Sequence, residues 1–265
     1  MDLSETEIKS KVLKGLFWKI LENGGAQGIQ FVIAIILARL LSPAEYGLVS
    51  IIMIFITIAN VVVQNGFSTA LVQKKHSDDT DFSSVFYFSL AIAAVMYAAL
   101  YASAPSIAGF YHNDVLVPIV RVLAVVLFPG AVISVQTAYV SRKMEFKGLF
   151  KATMVAVVIS GAASILMALR GMGVWAMVGQ QIAYYLALMT TLFMTVSWKP
   201  RLVFAMGRIS AMFSFGWKLL LAALLDTLFN NLYGLIMGKI YNEELLGAYN
   251  RGDQFPKLIV NNLGA

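Results

Sequence analysis

The chain predicts an all-α fold, a polytopic membrane helix bundle, and three observations carry that prediction. Hydrophobic residues make up 59% of its 265 positions and charged residues only 13%, with mean hydropathy +0.77. A soluble domain carries about 25% charge. The apolar residues also fall in blocks long enough to cross a hydrocarbon core of about 30 Å, which takes about 20 helical residues. Finally, the blocks are continuous and do not alternate apolar with polar, which argues against a membrane β-barrel.

Residues 1–15 (MDLSETEIKSKVLKG) lack the apolar core and small-residue cleavage site of a signal peptide. Ile8, Val12, Leu13 and Leu16 recur at helical spacing with Lys9, Lys11 and Lys14 between them. That pattern suits a short interfacial helix feeding the first span, and a frayed terminus is the alternative. Spans follow near 18–40, 46–66, 84–104, 115–138, 152–169, 174–197 and 211–238, and an eighth begins near 247. The connection at 41–45 is so short that spans one and two should form a tight antiparallel hairpin. Ser42 can cap the second helix, with Pro43 in its first turn. R-G-M-G at 170–173 is an equally tight turn. Ser77, Asp78, Asp79 and Asp81 sit where span three starts, and their charge complements the helix dipole there. Trp18, Trp175, Trp198 and Trp217 all fall at span ends, as an interfacial aromatic belt would place them.

The chain also repeats itself. W-K-I-L at 18–21 returns as W-K-L-L at 217–220, and each copy leads through an apolar run to a glycine, Gly47 or Gly247. Trp18 and Trp217 are offset by 199 residues and the two glycines by 200. Such a repeat suggests a transporter of two homologous halves. On this reading residues 1–200 form an N-terminal six-span bundle. Residues 201–265 open a C-terminal bundle with span seven and the beginning of span eight, as the first part of a longer protein would.

Positive charge sets the expected orientation. With the N-terminus cytoplasmic, most of the 20 Lys and Arg residues flank inside ends. Only Arg39, Arg121, Arg170, Lys239, Arg251 and Lys257 do not. The net charge of +6 is then a topology signal on an anionic leaflet. It is split over separate loops, so no nucleic-acid partner is expected.

Polar groups at membrane depth are costly and tend to face a bundle interior or a wet cavity. Asn23, Gln27 and Gln30 share one face of span one, and Asn60 and Gln64 share one of span two. Asp226 and Asn230 do so in span seven, where a shift of 200 places Asn230 on Gln30. These seven residues are the candidate lining of a hydrophilic central cavity, with Asp226 the candidate for ion coupling. Glu22 lies close to Trp18 and Lys19 and reads as interfacial. Gln136, Gln180 and Gln181 read as helix–helix hydrogen bonding. Arg39, Lys239 and Arg251, toward the outer mouth, could attract an anionic head group or snorkel.

There are no cysteines, so disulfides and thiolate metal sites are excluded. His76 and His112 flank separate spans and read as loop residues. No phosphate-binding loop, dinucleotide turn, H-E-x-x-H or paired loop acids are present, so neither enzyme chemistry, a cofactor nor a metal is expected.

A-R-L-L-S-P-A-E-Y-G-L-V-S (38–50), N-G-F-S-T-A-L-V-Q-K-K (65–75), S-R-K-M-E-F-K (141–147) and L-L-G-A-Y-N-R-G-D-Q-F-P (245–256) carry a resemblance. They resemble bacterial polysaccharide flippases of the multidrug/oligosaccharidyl-lipid/polysaccharide exporter superfamily. That resemblance implies two six-helix bundles in a V and a place in the bacterial inner membrane. It implies export of undecaprenyl-diphosphate-linked oligosaccharides for O-antigen, capsule or exopolysaccharide by alternating access. The implied partners are the lipid-linked oligosaccharide, membrane lipids, a coupling proton or sodium ion, and polysaccharide-assembly proteins. It identifies no site residues. A drug/cation antiporter of the same architecture, a membrane glycosyltransferase or polymerase, and a structural membrane protein remain as alternatives.

Overall fold

Apolar runs punctuated by caps and turns fold into eight α-helices in the structure, a computed structural model that describes residues 5–74, 77–240, 244–250 and 252. They are α1 (Glu5–Leu40), α2 (Pro43–Gln73), α3 (Asp79–Tyr111), α4 (Leu116–Leu123), α5 (Leu127–Lys143), α6 (Phe146–Leu169), α7 (Val174–Thr195) and α8 (Met206–Ile240). A 3₁₀ turn, Ala124–Val126, joins α4 to α5, and residues 244–250 are again helical. No strand occurs among the described residues.

Among the described residues, six stretches are long and apolar enough to cross a membrane: Val12–Leu40, α2, α3, the α4–α5 unit, α6 and Gly216–Ile240. The chain is a multi-pass helical membrane protein. The sixth expected span, α7, has the length, but Gln180, Gln181, Tyr184 and Tyr185 at its middle make it too polar for that set. Most helices outrun the expected spans, because the apolar pattern marks only the stretch meant for hydrocarbon. The backbone is helical from Glu5 and enters the first span without a break.

The expected stops and starts are in place. The Ser42 hydroxyl accepts the Glu45 N–H at 3.3 Å, and the Glu45 carboxylate accepts the Ser42 N–H at 2.7 Å. Pro43 occupies the first helical position. Asp78 and Asp81 form the same reciprocal box at the start of α3. Gly171 and Gly173 take φ of +73° and +56° in the turn before α7.

The first hairpin is not packed as expected. α1 leaves α2 and lies along α6, held by Ala26, Ile33 and Leu37 against Val157 and Ala168. A short loop fixes chain direction but not which neighbour a helix chooses. α2 instead contacts α3, α5 and α8. Around α2 the core has two layers. One, with the α3–α4 and α6–α7 connections, holds Ile51, Ile52, Ile56, Leu116, Leu123 and Leu127. The other, at the end with most of the loop cations, holds Leu71, Phe82, Val85, Leu149, Leu192 and Trp198. Trp198 departs from the expected belt, being buried between Phe82, Phe86 and Tyr139.

α8 runs antiparallel to α2 along its length. Phe213 stacks on Phe67 near one end, Gly234 abuts Ile54, and Gly238 abuts Ile51. The 244–250 segment closes this contact. Leu246 is fully buried in the α2 core layer, and a Cβ at Gly247 would fall 1.9 Å from the Pro43 carbonyl oxygen and 3.0 Å from the Gly47 nitrogen. Only glycine fits there. The other faces of α8 are open, with Leu225, Phe229, Tyr233 and Ile240 exposed.

Gln136 is fully buried in the layer at the cationic end, and neither its amide nitrogen nor its oxygen has a hydrogen-bond partner. An unmet buried polar group costs about 1–3 kcal/mol. Gln136→Met keeps the volume and removes both groups, so it should raise the Tm of the detergent-solubilised chain. A lowered Tm would show that Gln136 is satisfied by an internal water.

Candidate functional site

The polar residues of the helices gather in three places. The first is a cavity of about 340 Å³ between α1, α6 and α7. Gln30 and Ala34 reach it from α1, Tyr46 from α2, Ser160 from α6, and Gln180, Gln181 and Tyr184 from α7. Gln180 and Gln181, expected to bond neighbouring helices, line this cavity instead. The space exists because α1 splays from α2, and α7 presents its polar middle to the gap.

The second is an amide ladder in the bundle. Gln64 donates to the Asn60 side-chain oxygen at 2.9 Å, and the Asn60 amide donates to the Tyr185 hydroxyl at 3.4 Å. The i,i+4 spacing puts Asn60 and Gln64 on one face of α2, and α7 supplies the tyrosine.

The third lies between α2, α8 and the 244–250 segment. It is a cavity of about 450 Å³ lined by Ser50, Met53, Ile54 and Thr57 of α2 and by Asn230, Asn231, Tyr233 and Gly234 of α8, with Tyr249 and Asn250. Asn231 donates to the Thr227 carbonyl at 2.8 Å, leaving its side-chain oxygen for other donors. The lining mixes amide, hydroxyl and aromatic groups with the apolar Met53 and Ile54, and has no charged side chain. Hydroxyl-rich, uncharged ligands match such a surface.

The candidates read from sequence are therefore distributed, not gathered. Gln30 lines the first cavity, Asn60 and Gln64 form the ladder, and Asn230 lines the third. Asn23 and Gln27 are half-buried on α1. Asp226 is exposed one turn before Asn230, and no described cation pairs with it. Arg39 is exposed near the end of α1. Lys239 is engaged by α3. Its ammonium donates to the Phe110 carbonyl and sits 4.3 Å from the Phe110 ring centroid, as a cation at a helix C-terminus does. Arg251 lies outside the described residues, as does His76.

Glu22 was read as interfacial, but it is buried. Lys19 pairs with it at 2.9 Å and the Thr153 hydroxyl donates to it at 3.0 Å. The partner that draws it inward is on α6, which spacing along α1 does not reveal. Tyr46, Tyr184, Tyr185 and Tyr233 were likewise missed, because tyrosines in membrane helices read as belt or core.

An ion-pair cluster stands at the cationic end. Asp81 is 1% exposed and accepts from Lys74 at 2.7 Å and Arg208 at 3.1 Å. Arg208 also pairs with Asp78, and Arg201 with Asp79 at 2.8 Å. Arg142 donates to the Leu71 and Val72 carbonyls and so caps α2. The Ser83 and Ser84 hydroxyls accept the Arg201 and Ala205 N–H groups at 3.0 Å each. The acids expected to cap α3 thus also tie down the 196–205 connection and the start of α8. The Arg208 guanidinium and the Asp81 N–H hold the Asp78 carboxyl at about 2, against 3.8 ordinarily.

Residues 36–265 match the family described as polysaccharide biosynthesis protein. The succinoglycan biosynthesis transport protein ExoT of Rhizobium meliloti (strain 1021) is 28% identical over 207 residues, 77% of this chain and 42% of the relative. The teichuronic acid biosynthesis protein TuaB of Bacillus subtilis (strain 168) is 27% identical over 261 residues, 96% and 54% of the two chains. The lipopolysaccharide biosynthesis protein WzxC of Escherichia coli (strain K12) is 21% identical over 251 residues, 92% and 50%. The chain spans about half the length of these relatives. No solved structure matches it.

The ion pairs differ in depth, and this sets their contributions. Asp81→Asn strands Lys74 and leaves Arg208 with Asp78 alone, and because these side chains are 36% and 39% exposed the loss should be about 2 kcal/mol, below the ~3–5 of a wholly buried pair. Asp79→Asn breaks an exposed pair and should cost under about 1 kcal/mol. Thermal unfolding of the two variants in one detergent checks the order, and equal losses would contradict it. Because folding lowers the Asp78 pKa, its contribution is full above 3.8 and is lost as pH falls toward about 2. Asp78→Asn should flatten stability across that window.

Proposed function

The chain belongs to the polysaccharide biosynthesis protein family, and we propose that it supplies one half, and the opening of the other, of a transporter for lipid-linked oligosaccharides. In this reading residues 1–200 are the N-terminal bundle and 201–265 begin the second. The transporter moves undecaprenyl-diphosphate-linked glycan across the bacterial inner membrane by alternating access, with the N-terminus cytoplasmic. The observation that carries the proposal is the uncharged cavity between α2 and α8, where amides and hydroxyls share the lining with Met53 and Ile54. Glycan hydroxyls cannot cross hydrocarbon unpaired without a penalty of several kcal/mol for each group. A polar wall there offsets that cost while the polyprenyl tail stays in lipid. The names of the relatives, which cover transport and biosynthesis of three different polymers, support the same reading.

Within this scheme Asn23, Gln27, Gln30, Asn60, Gln64 and Asn230 extend the polar wall, and Asp226 couples transport to a proton or sodium gradient. An unpaired carboxylate at that depth needs a proton or a cation. Arg39 and Arg251 draw the diphosphate toward the outer mouth.

The test is complementation by the protein at its relatives' length. It should restore polymer at the surface of a flippase-deficient strain, and Asn230→Leu should reduce surface polymer severalfold at unchanged membrane abundance. Full activity of Asn230→Leu would remove the cavity from the pathway. Asp226→Asn should also lower export, and unchanged export across external pH and sodium would leave Asp226 a structural residue. For orientation, a cysteine at Lys143 should react with an impermeant maleimide only after the inner membrane is opened. One at Arg170 should react in spheroplasts, and the reverse pattern would overturn the cytoplasmic N-terminus.

A further inference from the structure

We propose that Arg121 forms a binding site for the phosphate of an anionic phospholipid on the lipid-facing side of α3, α4 and α7. Arg121 lies five residues past Leu116, about 7.5 Å along the helix at 1.5 Å per residue. With the α4–α5 span entering the bilayer near its Leu116 end, that is close to where lipid phosphates meet the first acyl carbons. An arginine there usually snorkels to water or pairs with an acid. Arg121 is partly exposed and pairs with no described acid. Its guanidinium lies 4.2 Å from the centroid of the Tyr101 ring. Its Nε is buried with no hydrogen-bond partner. The buried, unpartnered Nε is costly unless an acceptor from outside the chain completes it, and the rest of the guanidinium is open to such an acceptor.

The surroundings fit such an acceptor. Arg121 opens onto a cavity of about 520 Å³ shared with Tyr97, Tyr101, Pro118 and Ile182. The guanidinium offers a planar fork suited to phosphate oxygens. The Tyr97 and Tyr101 hydroxyls are further donors, and the apolar remainder accommodates the start of an acyl chain. The cavity faces away from the second half of the protein. Phe110, which packs beside α8, and Tyr101 are nine positions apart on α3, about two and a half turns, and so point in opposite directions. The occupant therefore comes from the bilayer, and the site is independent of the transport proposal.

Native mass spectrometry of the full chain, released from detergent containing phosphatidylglycerol or phosphatidylcholine, tests it. The wild-type chain should retain phosphatidylglycerol preferentially. Arg121→Gln should lower that retention about tenfold, the scale of one charge-assisted contact. Arg121→Lys keeps the charge without the fork and should give an intermediate value, and it decides the matter if Arg121→Gln does not fold. Arg170→Gln, which removes an exposed cation at the same end, should leave retention unchanged. Equal retention by wild type and Arg121→Gln would overturn the proposal. So would an equal loss in Arg170→Gln, which would mean general charge attraction. Displacement of the lipid by millimolar inorganic phosphate at constant ionic strength would assign the site to a free anion and overturn the lipid.

Discussion

Helix α2 is the member on which the rest of the structure depends. Its mean composition is apolar enough to cross the bilayer, yet more than half of its most apolar stretch is buried in protein, against α3, α5, α7 and α8. Enclosure lets it carry Ser50, Thr57, Asn60 and Gln64, which a lipid-facing helix would carry at a cost. Both the amide ladder and the cavity at α8 use its polar face. The two core layers are built on its apolar faces, so packing and polarity are sorted around one axis.

Much of this was legible in the sequence because it depends on local rules. Block hydrophobicity gives the helices, Ser42-Pro43 gives a start, and R-G-M-G gives a turn, since each is decided within a few residues. The cations that set the expected orientation are visible for the same reason. Partner choice is decided elsewhere. Nothing near Glu22 announces Thr153, and nothing in span one says that Leu37 packs beside Val157 and not against α2. Gln180 illustrates the difference. Its position on a helix is readable, but a glutamine bonded to a neighbouring helix and one lining a cavity have the same spacing. What separates them is the absence of α1 from the side of α2.

The acids at the start of α3 have two functions at once. Capping requires Asp78 to stand at the first turn, and the same placement presents Asp78 and Asp81 to Arg208 across the bundle. A helix terminus thereby becomes an anchor for the connection between α7 and α8. The geometry favours depth over number. Asp81, out of water, holds two cations that reach it from the surface, and the outer pair with Asp79 adds little.

The contact of Gly247 with Gly47 has a meaning that comes from symmetry. On the two-half reading of the sequence these residues are equivalent, and each then meets its own image. A two-fold axis brings a residue against its image, and a surface that pairs with itself in this way is isologous. Such a surface does not require the two copies to be on one polypeptide. On the two-half reading, fusing the copies into one chain keeps that joint while leaving each half free to differ elsewhere.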